Sequence, residues 1–404
     1  MKEVTYMRLE PIIVSLLDTD LYKFNMNQVI FHKHTDACGK YYFKNRTPNV
    51  KFSKEMVDEI NLQIDHLCEL RFKNDELDYL RSIRFIKRDY VEFLRLWHPI
   101  RDYVKCYLDD NGDLQCIVDG PCFSAMPFEI YLLEIINEVY FRMQYNYNEL
   151  LESAREKLDQ KILDFKNKKY TFTFAEFGCR RRLSREWQDE LIAKLSKECP
   201  NLVGTSNVYL AYKYHLKPIG TYAHEFVQMY QGFPKIPLAY TNYYAMKDWF
   251  AEYNGDNGTA LTDTIGTDVF LLDFDYLNAH CYTGVRHDSG DPFIWGDKII
   301  NHYKKLGIDP KTKTLLFSDS LNFDKAQKIY DYFKDKCKVT FGIGTFVAND
   351  TCVRPLNIVL KLQFINGHPV AKLSDEPGKL MSKDEEFTKY LEKSVKFRLE
   401  SQKD

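Results

Sequence analysis

The sequence predicts an α/β protein with a parallel β-sheet, open or closed into a barrel, joined to a smaller α+β module. Between residues 171 and 345, short apolar segments of strand character alternate with helix-like segments, the usual pattern of parallel strands connected by helices. Before residue 123 and after residue 353 the sequence instead has helices and strand-and-hairpin character. We therefore expect one domain over 124–352 and a discontinuous one from 1–123 and 353–404.

The composition is that of a globular, enzyme-sized protein. The chain has 404 residues, 45% of them hydrophobic, which is enough for two domains. Charged residues make up 28% and give a net charge of −2, which argues against general binding to nucleic acid or to a membrane surface. Neither a signal peptide nor an apolar run of membrane-spanning length is recognisable, so we expect a cytoplasmic protein. Ten scattered cysteines without a C-x-x-C pair favour reduced thiols over a disulfide framework or a zinc site.

In the first domain, helix and strand patterns follow one another closely. Two alternating runs around Asn111-Gly112 indicate a β-hairpin within 103–120. The other elements expected there are a helix over 20–33, a strand over 39–46 and amphipathic helices within 55–96. After residue 353 the chain returns to strand-and-hairpin character, so its end is expected to complete this domain.

In the second domain, a helical stretch from 124 to 165 precedes seven strand candidates. These are residues 171–178, 202–206, 218–224, 259–264, 282–290, 314–320 and 338–345. Helix candidates lie between them, for example over 184–197 and 322–335.

The candidate strands end in polar residues or glycine, and six of these ends carry candidate chemistry. The ends are 176–178, 204–206, Thr221 with His224, Arg286 with Asp288 and Ser289, 318–320, and 342–345. The carboxyl ends of parallel strands form the active-site face of such folds, so we expect an active site there. His224 taken alone is more commonly a structural histidine at a turn. Its place among these strand ends makes it a candidate functional residue.

Two of these strand ends suit phosphate and carboxylate chemistry. In "GVRHDSGDP" (284–292), Arg286 offers a planar fork for a carboxylate or phosphate, and Asp288 and Asp291 could hold sugar hydroxyls or Mg²⁺. In "FGIGT" (341–345), backbone N–H groups and a Thr hydroxyl could cradle a phosphate. The alternative is a purely structural role, in which these loops cap the helices that follow them.

Two further motifs are open to a structural or a functional interpretation. Three consecutive arginines, Arg180, Arg181 and Arg182, follow a strand and suit either a solvated face or an anionic ligand. Tyr22 follows Asp18-Thr19-Asp20, a good helix N-cap set, and is either a core aromatic residue or a ring that stacks on a heteroaromatic ligand.

The motif set as a whole resembles bacterial nicotinate phosphoribosyltransferases, a family of type II phosphoribosyltransferases. The matching motifs are "DTDLYKF", "FGCRRRLSREWQ", "GTSNVYLA", "GTYAHEF", "LTDTIGTDVFL", "GVRHDSGDP", "KTLLFSDS", "FGIGT" and "PLNIVLKL…PVAKLSD", in order, from about residue 14 to 385. The resemblance implies an irregular, TIM-like α/β barrel with an α+β domain built from both chain ends. It also implies a homodimer with shared active sites.

The activity that the resemblance implies is the formation of nicotinate mononucleotide and diphosphate from nicotinate and 5-phosphoribosyl-1-diphosphate. This step of NAD salvage is coupled in the family to ATP hydrolysis. The implied partners are these small molecules, with ATP as co-substrate and Mg²⁺ carried by the diphosphate near Asp288 and Asp319 rather than in a protein-only metal site. Neither nucleic acid nor a membrane is expected as a partner.

The resemblance also implies roles for individual residues. His224 would be phosphorylated by ATP, with Arg286 and Asp288 as its catalytic neighbours, and Tyr22 would stack on the pyridine ring. The residues implied to contact nicotinate are Tyr22, Thr221, Arg286, Arg180 and Phe177. Those implied to hold the phosphoribosyl and diphosphate groups are Ser318, Asp319, Gly342, Gly344, Thr345, Ser289 and Gly290.

Three alternatives remain open from the sequence. A nicotinamide-specific enzyme of the same fold would use a carboxylate such as Glu176 in the base pocket. A metal-dependent barrel hydrolase would use His287, Asp288 and His224. A catalytically silent nucleotide sensor would bind ligand without turnover.

Overall fold

A five-stranded antiparallel sheet forms the centre of the first part of the molecule. The computed structural model describes residues 8–376 and 382–402. The elements of the N-terminal part are α1 (Leu21–Lys33), β1 (Cys38–Asn45), α2 (Lys54–Glu69), α3 (Asn74–Ser82), α4 (Arg88–Leu96), β2 (Val104–Leu108) and β3 (Leu114–Pro121). These bounds confirm the predicted helix, strand, amphipathic helices and hairpin of this region.

Both chain ends build this sheet. Its strand order is β11-β10-β1-β3-β2, with β10 (Ile358–Ile365) and β11 (His368–Pro369) contributed from beyond the barrel. Since β10 pairs antiparallel with β1 along nearly its whole length, the chain end is part of the core of this region. The domain limits at residues 123 and 353 stay a prediction, and the outer limits at 1 and 404 lie outside the described residues.

The expectation of reduced cysteines is wrong at one place. Cys106 and Cys116 are directly opposite each other on β2 and β3, with Cα atoms 4.3 Å apart, and are joined as a disulfide. Hairpin register places them together, because opposed side chains of an antiparallel pair share one face of the sheet. The other eight cysteines are free thiols.

Three helices connect the sheet to the second part of the molecule: α5 (Cys122–Ala125), α6 (Phe128–Gln144) and α7 (Tyr147–Lys166). All residues of α6 from Phe128 to Phe141 are buried. The helix packs against α2, β10 and the short turn 179–181. A helix that is buried on all sides belongs to a core, so α6 joins the two parts into one packed unit.

Six parallel strands follow in the second part: β4 (Phe174–Glu176), β5 (Leu202–Thr205), β6 (Thr259–Leu261), β7 (Gly284–His287), β8 (Thr314–Phe317) and β9 (Lys338–Ile343). The helices around them are α8 (Arg185–Glu198), α9 (Val208–Tyr214), α10 (His224–Met229), α11 (Thr241–Tyr253), α12 (Thr267–Asp273), α13 (Tyr276–Cys281), α14 (Pro292–Lys305), α15 (Phe323–Phe333) and α16 (Thr345–Ala348), with α17 (Glu385–Glu400) near the chain end. None of the helices in the described ranges is long and apolar enough to cross a membrane.

The parallel sheet curves into an irregular barrel. Its strand order is β5-β4-β9-β8-β7-β6. Strand β4, the first of the six along the chain, therefore pairs with β9, the last along the chain, and the ring is interrupted between β5 and β6. An extended segment lies in that gap: the backbone N–H of Ile219 donates to the Thr205 carbonyl (2.9 Å), and the Tyr222 hydroxyl accepts from Leu261 N–H (3.3 Å). The predicted α/β class with a barrel is confirmed.

The predicted strand over 218–224 is wrong as a regular strand. The segment makes a single bridge, between Thr205 and Pro218, and His224 already begins α10. Pro218 has no N–H to donate to a ladder. Gly220 lies so close to α1 that a Cβ there would be 3.0 Å from the backbone nitrogen of Tyr22, so the segment packs tightly against the start of that helix.

Candidate functional site

Five ionisable side chains meet at the carboxyl-terminal edge of the barrel strands. We call this group the His224 cluster; its members are His224, Asp263, Arg286, Asp288 and Lys372. Nε2 of His224 lies 2.9 Å from Oδ1 of Asp263 and 3.6 Å from Oδ2 of Asp288. His224 begins α10, Asp263 follows β6, and Asp288 follows β7, so three different elements hold the three groups together.

Asp263 is the central acceptor of the cluster. Besides the imidazole, it accepts from Nζ of Lys372 (2.9 Å) and from the Ser289 hydroxyl (2.5 Å), both through Oδ2. Asp375 donates its backbone N–H to the Ser289 oxygen (3.2 Å), which fixes that hydroxyl as the donor to Asp263. The Asp263 side chain is 1% exposed, so its orientation is set entirely by these contacts.

Burial and charge set the protonation of this cluster. Burial, followed by the nearby Lys372 ammonium, lowers the pKa of His224 below its ordinary 6.5, against the opposing effect of Asp263. For Asp263, burial alone would raise the pKa, but His224 and Lys372 hold it well below its usual range. The site at neutral pH therefore combines a neutral imidazole with an ionised carboxylate.

Arg286, on β7, links the cluster to the next strand. Its Nη2 donates to Oδ1 of Asp288 (2.9 Å), and its Nε donates to the Ser318 hydroxyl (2.8 Å), which in turn donates to the same Asp288 oxygen (3.0 Å). Burial would raise the pKa of Asp288, but Arg286, His224 and Lys372 hold it well below its usual range. The Arg286 side chain is 18% exposed, so part of its surface remains open to a ligand.

A second group of predicted residues gathers around the beginning of α1. Asn25 donates through Nδ2 to the carbonyl of Gly220 (2.9 Å), which holds the segment that carries Thr221 against the turn that carries Tyr22. Arg180 lies within electrostatic reach of both sides: burial disfavours its charge, but Tyr22, Glu129 and Asp288 together raise its pKa. Burial also raises the pKa of Tyr22 well above 10, so its phenol stays neutral.

The glycine loop after β9 packs against Phe177. A Cβ on Gly342 would lie 2.3 Å from the Phe177 ring, and one on Gly344 would lie 2.7 Å from the Phe177 carbonyl oxygen. Glycine is therefore required at both positions for this close approach. Thr345 follows as the first residue of α16 and is partly exposed at the same edge of the barrel.

The remaining predicted phosphate-binding residues lie in the loops after β7 and β8. Asp319 is partly exposed beside Ser318. Ser289 is buried, and its hydroxyl is committed to Asp263. Gly290 has φ +81°, a backbone conformation that glycine adopts without strain. The predicted roles of these residues stay predictions.

The three consecutive arginines have different environments. Arg182 is 1% exposed and forms a bidentate pair with Asp18 (2.6 and 2.9 Å), with Glu134 at 3.3 Å. With Cys179, whose thiol donates to Glu134 (2.7 Å), these residues form what we call the Arg182 cluster, a closed structural unit. Arg180 and Arg181 remain partly exposed, and burial followed by the charges of Arg180 and Arg46 lowers the pKa of Arg181 to about 9.

Glu176 is not available as a base-pocket carboxylate. It is fully buried, and it accepts from Gly178 N–H (2.6 Å), the Thr205 hydroxyl (2.8 Å) and the Gln188 amide (3.2 Å). Burial raises its pKa to about 7 despite these donors.

His287 is likewise directed away from the cluster. It is 2% exposed, and its ring packs against Trp295 and Phe317, with centroids 5.1 and 5.7 Å apart. Within the described residues, His224, Asp263 and Asp288 do lie close enough to share a metal ion. The hydrolase alternative also requires His287, whose ring packs against Trp295 and Phe317 and is not part of this group.

Two members of the His224 cluster were missed by sequence reasoning. Asp263 lies two residues after β6, at the polar end of the candidate strand 259–264, so its position after a strand is a sequence signal that could have identified it. Lys372 follows β11, outside the barrel, and the sequence carries no strand-end signal for it. Glu225, next to His224, contacts Lys23 rather than the imidazole, so Asp263 and not Glu225 orients His224.

Comparisons with known proteins match nearly the whole length of the chain. The family model described as the nicotinate phosphoribosyltransferase (NAPRTase) family matches residues 172–399, and the model of its N-terminal domain matches residues 17–137. The chain is 46% identical to the nicotinate phosphoribosyltransferase of Acinetobacter baylyi, covering 95% of this chain and 96% of that one. It is also 46% identical to that of Chromobacterium violaceum, covering 96% and 98%. The crystal structure of nicotinate phosphoribosyltransferase from Vibrio cholerae superposes with a TM-score of 0.89 at 36% identity, over 95% of this chain and 94% of that chain.

Proposed function

We propose that this chain, which belongs to the nicotinate phosphoribosyltransferase family, transfers a 5-phosphoribosyl group from its diphosphate to the ring nitrogen of nicotinate. The observation that carries the proposal is the meeting of Tyr22, Thr221 and Arg180 with the His224 cluster at one edge of the barrel. Transfer at an anomeric carbon passes through an oxocarbenium-like state. The work of the protein is therefore to position the base and to stabilise the departing diphosphate.

Base recognition follows from the groups around Thr221. Tyr22 offers a neutral ring for stacking, and Arg180 and Arg286 offer guanidinium groups for the nicotinate carboxylate. A nicotinamide-specific pocket would need a carboxylate acceptor for the amide. Glu176 does not supply it, because Gly178, Thr205 and Gln188 already occupy its oxygens.

We further propose that ATP phosphorylates His224 at Nδ1. With its proton on Nε2, the imidazole donates a hydrogen bond to the Asp263 carboxylate, and the lone pair available for attack is on Nδ1. Attack by Nδ1 on the γ-phosphorus forms the N–P bond and breaks the P–O bond to ADP, the leaving group. The positive charge that develops on the imidazole is stabilised by Asp263, which the cluster holds ionised. Hydrolysis of the phosphoimidazole by water then restores His224.

The anionic groups of the phosphoribosyl diphosphate are expected at the loops after β7, β8 and β9. The Gly342–Gly344 turn with Thr345 offers backbone N–H groups and a hydroxyl to a phosphate. Mg²⁺ bound to the diphosphate would be held by Asp288 and Asp319, whose oxygen donors suit a hard cation, and it would neutralise charge on the leaving group. A cytoplasmic homodimer with shared active sites, acting in NAD salvage, completes the proposal.

Steady-state assays with phosphoribosyl diphosphate and either nicotinate or nicotinamide, each with and without ATP, test this function. We expect a higher kcat/KM for nicotinate and stimulation by ATP. A higher kcat/KM for nicotinamide would contradict the base assignment. Ligand binding without product formation would favour the nucleotide sensor. A tightly bound zinc ion, found by metal analysis after chelation, would favour the hydrolase.

A further inference from the structure

Four charged side chains next to the site, three of them buried, have no role in the reaction proposed above. They are Lys23, Glu129, Glu225 and Lys361, which we call the Lys23 cluster. Nζ of Lys23 lies 2.6 Å from Oε2 of Glu129 and directly contacts Oε1 of Glu225, and Nζ of Lys361 lies 3.0 Å from Oε1 of Glu129. The side chains of Lys23, Glu129 and Glu225 are 2%, 3% and 6% exposed.

Each member of the Lys23 cluster comes from a different element. Lys23 lies on α1, Glu129 on α6, Glu225 on α10 and Lys361 on β10. The cluster therefore joins the domain that carries α1 and β10 to the barrel that carries α10. The direct Lys23–Glu225 contact ties the first turn of α1 to the first turn of α10.

The neighbours of this contact in the chain are the proposed functional residues. Tyr22 precedes Lys23, and His224 precedes Glu225. Neither Lys23 nor Glu225 can shift along its helix without moving the adjacent functional side chain, because α1 and α10 are continuous helical backbone at these positions. Asn25 reinforces the same junction through the Gly220 carbonyl.

Stability alone is a weak reason for such a pair. Taking a lysine and a glutamate out of water costs several kcal/mol for each ion, and apolar side chains of similar volume often serve stability equally well. Burial raises the pKa of Glu225 even with Lys23 beside it, which shows that desolvation is substantial here. What a buried ion pair supplies that an apolar contact does not is a fixed distance between two particular atoms.

We propose that Glu225 and Lys23 are positioning residues, which set the place of His224 relative to the base pocket around Tyr22. The inference rests on the proposed function, since it assigns these residues to the same site. The inference depends on the length of the Glu225 side chain. A side chain that is one methylene shorter would either draw α10 toward α1 or lose the contact with Lys23. Misplacement of a reacting group by about 1 Å can cost on the order of 100-fold in rate.

Two substitutions at one position separate reach from charge. Glu225→Asp keeps the carboxylate and shortens it, whereas Glu225→Gln keeps the length and an acceptor oxygen for Lys23 but removes the charge. We expect Glu225→Asp to lower kcat with ATP at least about 10-fold with little change in the KM for nicotinate, and Glu225→Gln to stay within about 3-fold of the wild type. A larger loss of kcat in Gln than in Asp, or equal losses, would overturn the positioning role.

A control ion pair is available between α12 and α17, outside the His224 cluster and the Lys23 cluster. Asp273, 2% exposed, pairs with Arg398 of α17 in a bidentate contact, so Asp273→Asn disturbs a comparably buried ion pair. This variant is expected to lower the thermal midpoint and to leave kcat unchanged. A fall in its kcat as large as that of Glu225→Asp would mean that general destabilisation explains both, and would overturn the inference.

A readout independent of turnover keeps this inference distinct from the proposed function. The rate at which diethyl pyrocarbonate modifies His224, followed by mass spectrometry of its peptide, reports the local environment of the ring. We expect at least about 5-fold faster modification in Glu225→Asp than in the wild type, Glu225→Gln or Asp273→Asn. If the wild type does not turn over nicotinate, the proposed function fails, while the modification rates still decide this inference. A wild-type rate in Glu225→Asp would overturn it.

Discussion

The Arg182 cluster and the His224 cluster contain similar groups in opposite situations. In the Arg182 cluster, Arg182, Asp18 and Glu134 are each 1% exposed or less, and the guanidinium is bound on two sides by carboxylates. In the His224 cluster, the exposure of His224, Arg286 and Asp288 ranges from 12% to 22%. The first cluster leaves little room for a ligand, whereas the second presents charged groups at the open end of the barrel.

The same contrast distinguishes a structural from a functional charged side chain within a single motif. Arg180 and Arg182 are two residues apart in one turn, yet Arg182 is enclosed and Arg180 lies near Tyr22 and Asp288. Charge and position in the chain are nearly the same for both. The difference is that the carboxyl groups around Arg182 enclose its guanidinium, whereas Arg180 stays partly exposed. We expect substitutions in the two clusters to affect stability and activity differently for the same reason.

The largest effect is expected from His224→Ala. Loss of the imidazole should abolish labelling of the protein by γ-labelled ATP and lower the ATP-stimulated rate at least about 1000-fold, because the side chain is the proposed phosphoryl acceptor. The thermal midpoint should change little, since the ring is partly exposed and hydrogen-bonded at one nitrogen. Persistence of an acid-labile, base-stable phosphoryl adduct in the variant would contradict the assignment.

The next effect contrasts the two clusters directly. Arg182→Ala leaves Asp18 and Glu134 buried without their cation, so we expect a loss of about 3–5 kcal/mol in the free energy of unfolding. Arg286→Ala should leave stability nearly unchanged and lower kcat/KM for nicotinate about 100-fold. Chemical denaturation and steady-state kinetics on both variants measure the two quantities. If both variants are fully folded under the assay conditions and lose kcat/KM to a similar extent, the distinction between the two clusters is contradicted.

Much of this site was predictable from sequence because the carboxyl ends of parallel strands form the active-site face of such folds. Arg286, Asp288 and Ser318 come together because parallel strands bring their carboxyl ends to one edge, whereas His224 reaches that edge at the start of α10, after a segment that is not a regular strand. The hydrophobic pattern was enough to locate β4 to β9 and therefore that edge. The chain end was also predictable as part of the first domain, because β10 carries a strand pattern after the barrel has ended.

The features that were not predictable depend on packing between distant segments. Lys372 contacts Asp263 across more than one hundred residues of chain, and no local pattern specifies that contact. The segment 218–224 has an apolar start like a strand, but close packing of Gly220 against α1 leaves it extended without a ladder. The side of the turn on which each arginine falls likewise depends on Asp18, far away in sequence.

A smaller, pH-dependent effect is expected from Lys372→Met. Burial and the Lys372 ammonium both lower the pKa of His224, so removing the ammonium should raise that pKa. The imidazole then becomes protonated, and unable to accept a phosphoryl group, at a higher pH than in the wild type. We expect the acid limb of the ATP-stimulated rate to move to higher pH. Movement to lower pH would contradict this account of the cluster.

The smallest effect is expected from Glu176→Gln, inside the barrel and outside both clusters. Burial raises the pKa of Glu176 from its ordinary 4.5 to about 7. Between these values the folded protein keeps a proton that the unfolded chain has lost, so this residue reduces stability progressively as pH rises, by up to about 3 kcal/mol above pH 7. Below pH 4.5 both states are protonated and the contribution disappears.

An uncharged glutamine cannot contribute this pH dependence, and its carbonyl oxygen can still accept from Gly178 N–H. We therefore expect Glu176→Gln to be more stable relative to the wild type at pH 8 than at pH 5. Denaturant titrations at the two pH values measure the difference. A stability difference between variant and wild type that is the same at pH 5 and pH 8 would mean that Glu176 is ionised throughout this range. The three donors of Glu176 would then hold its carboxylate in the ionised form.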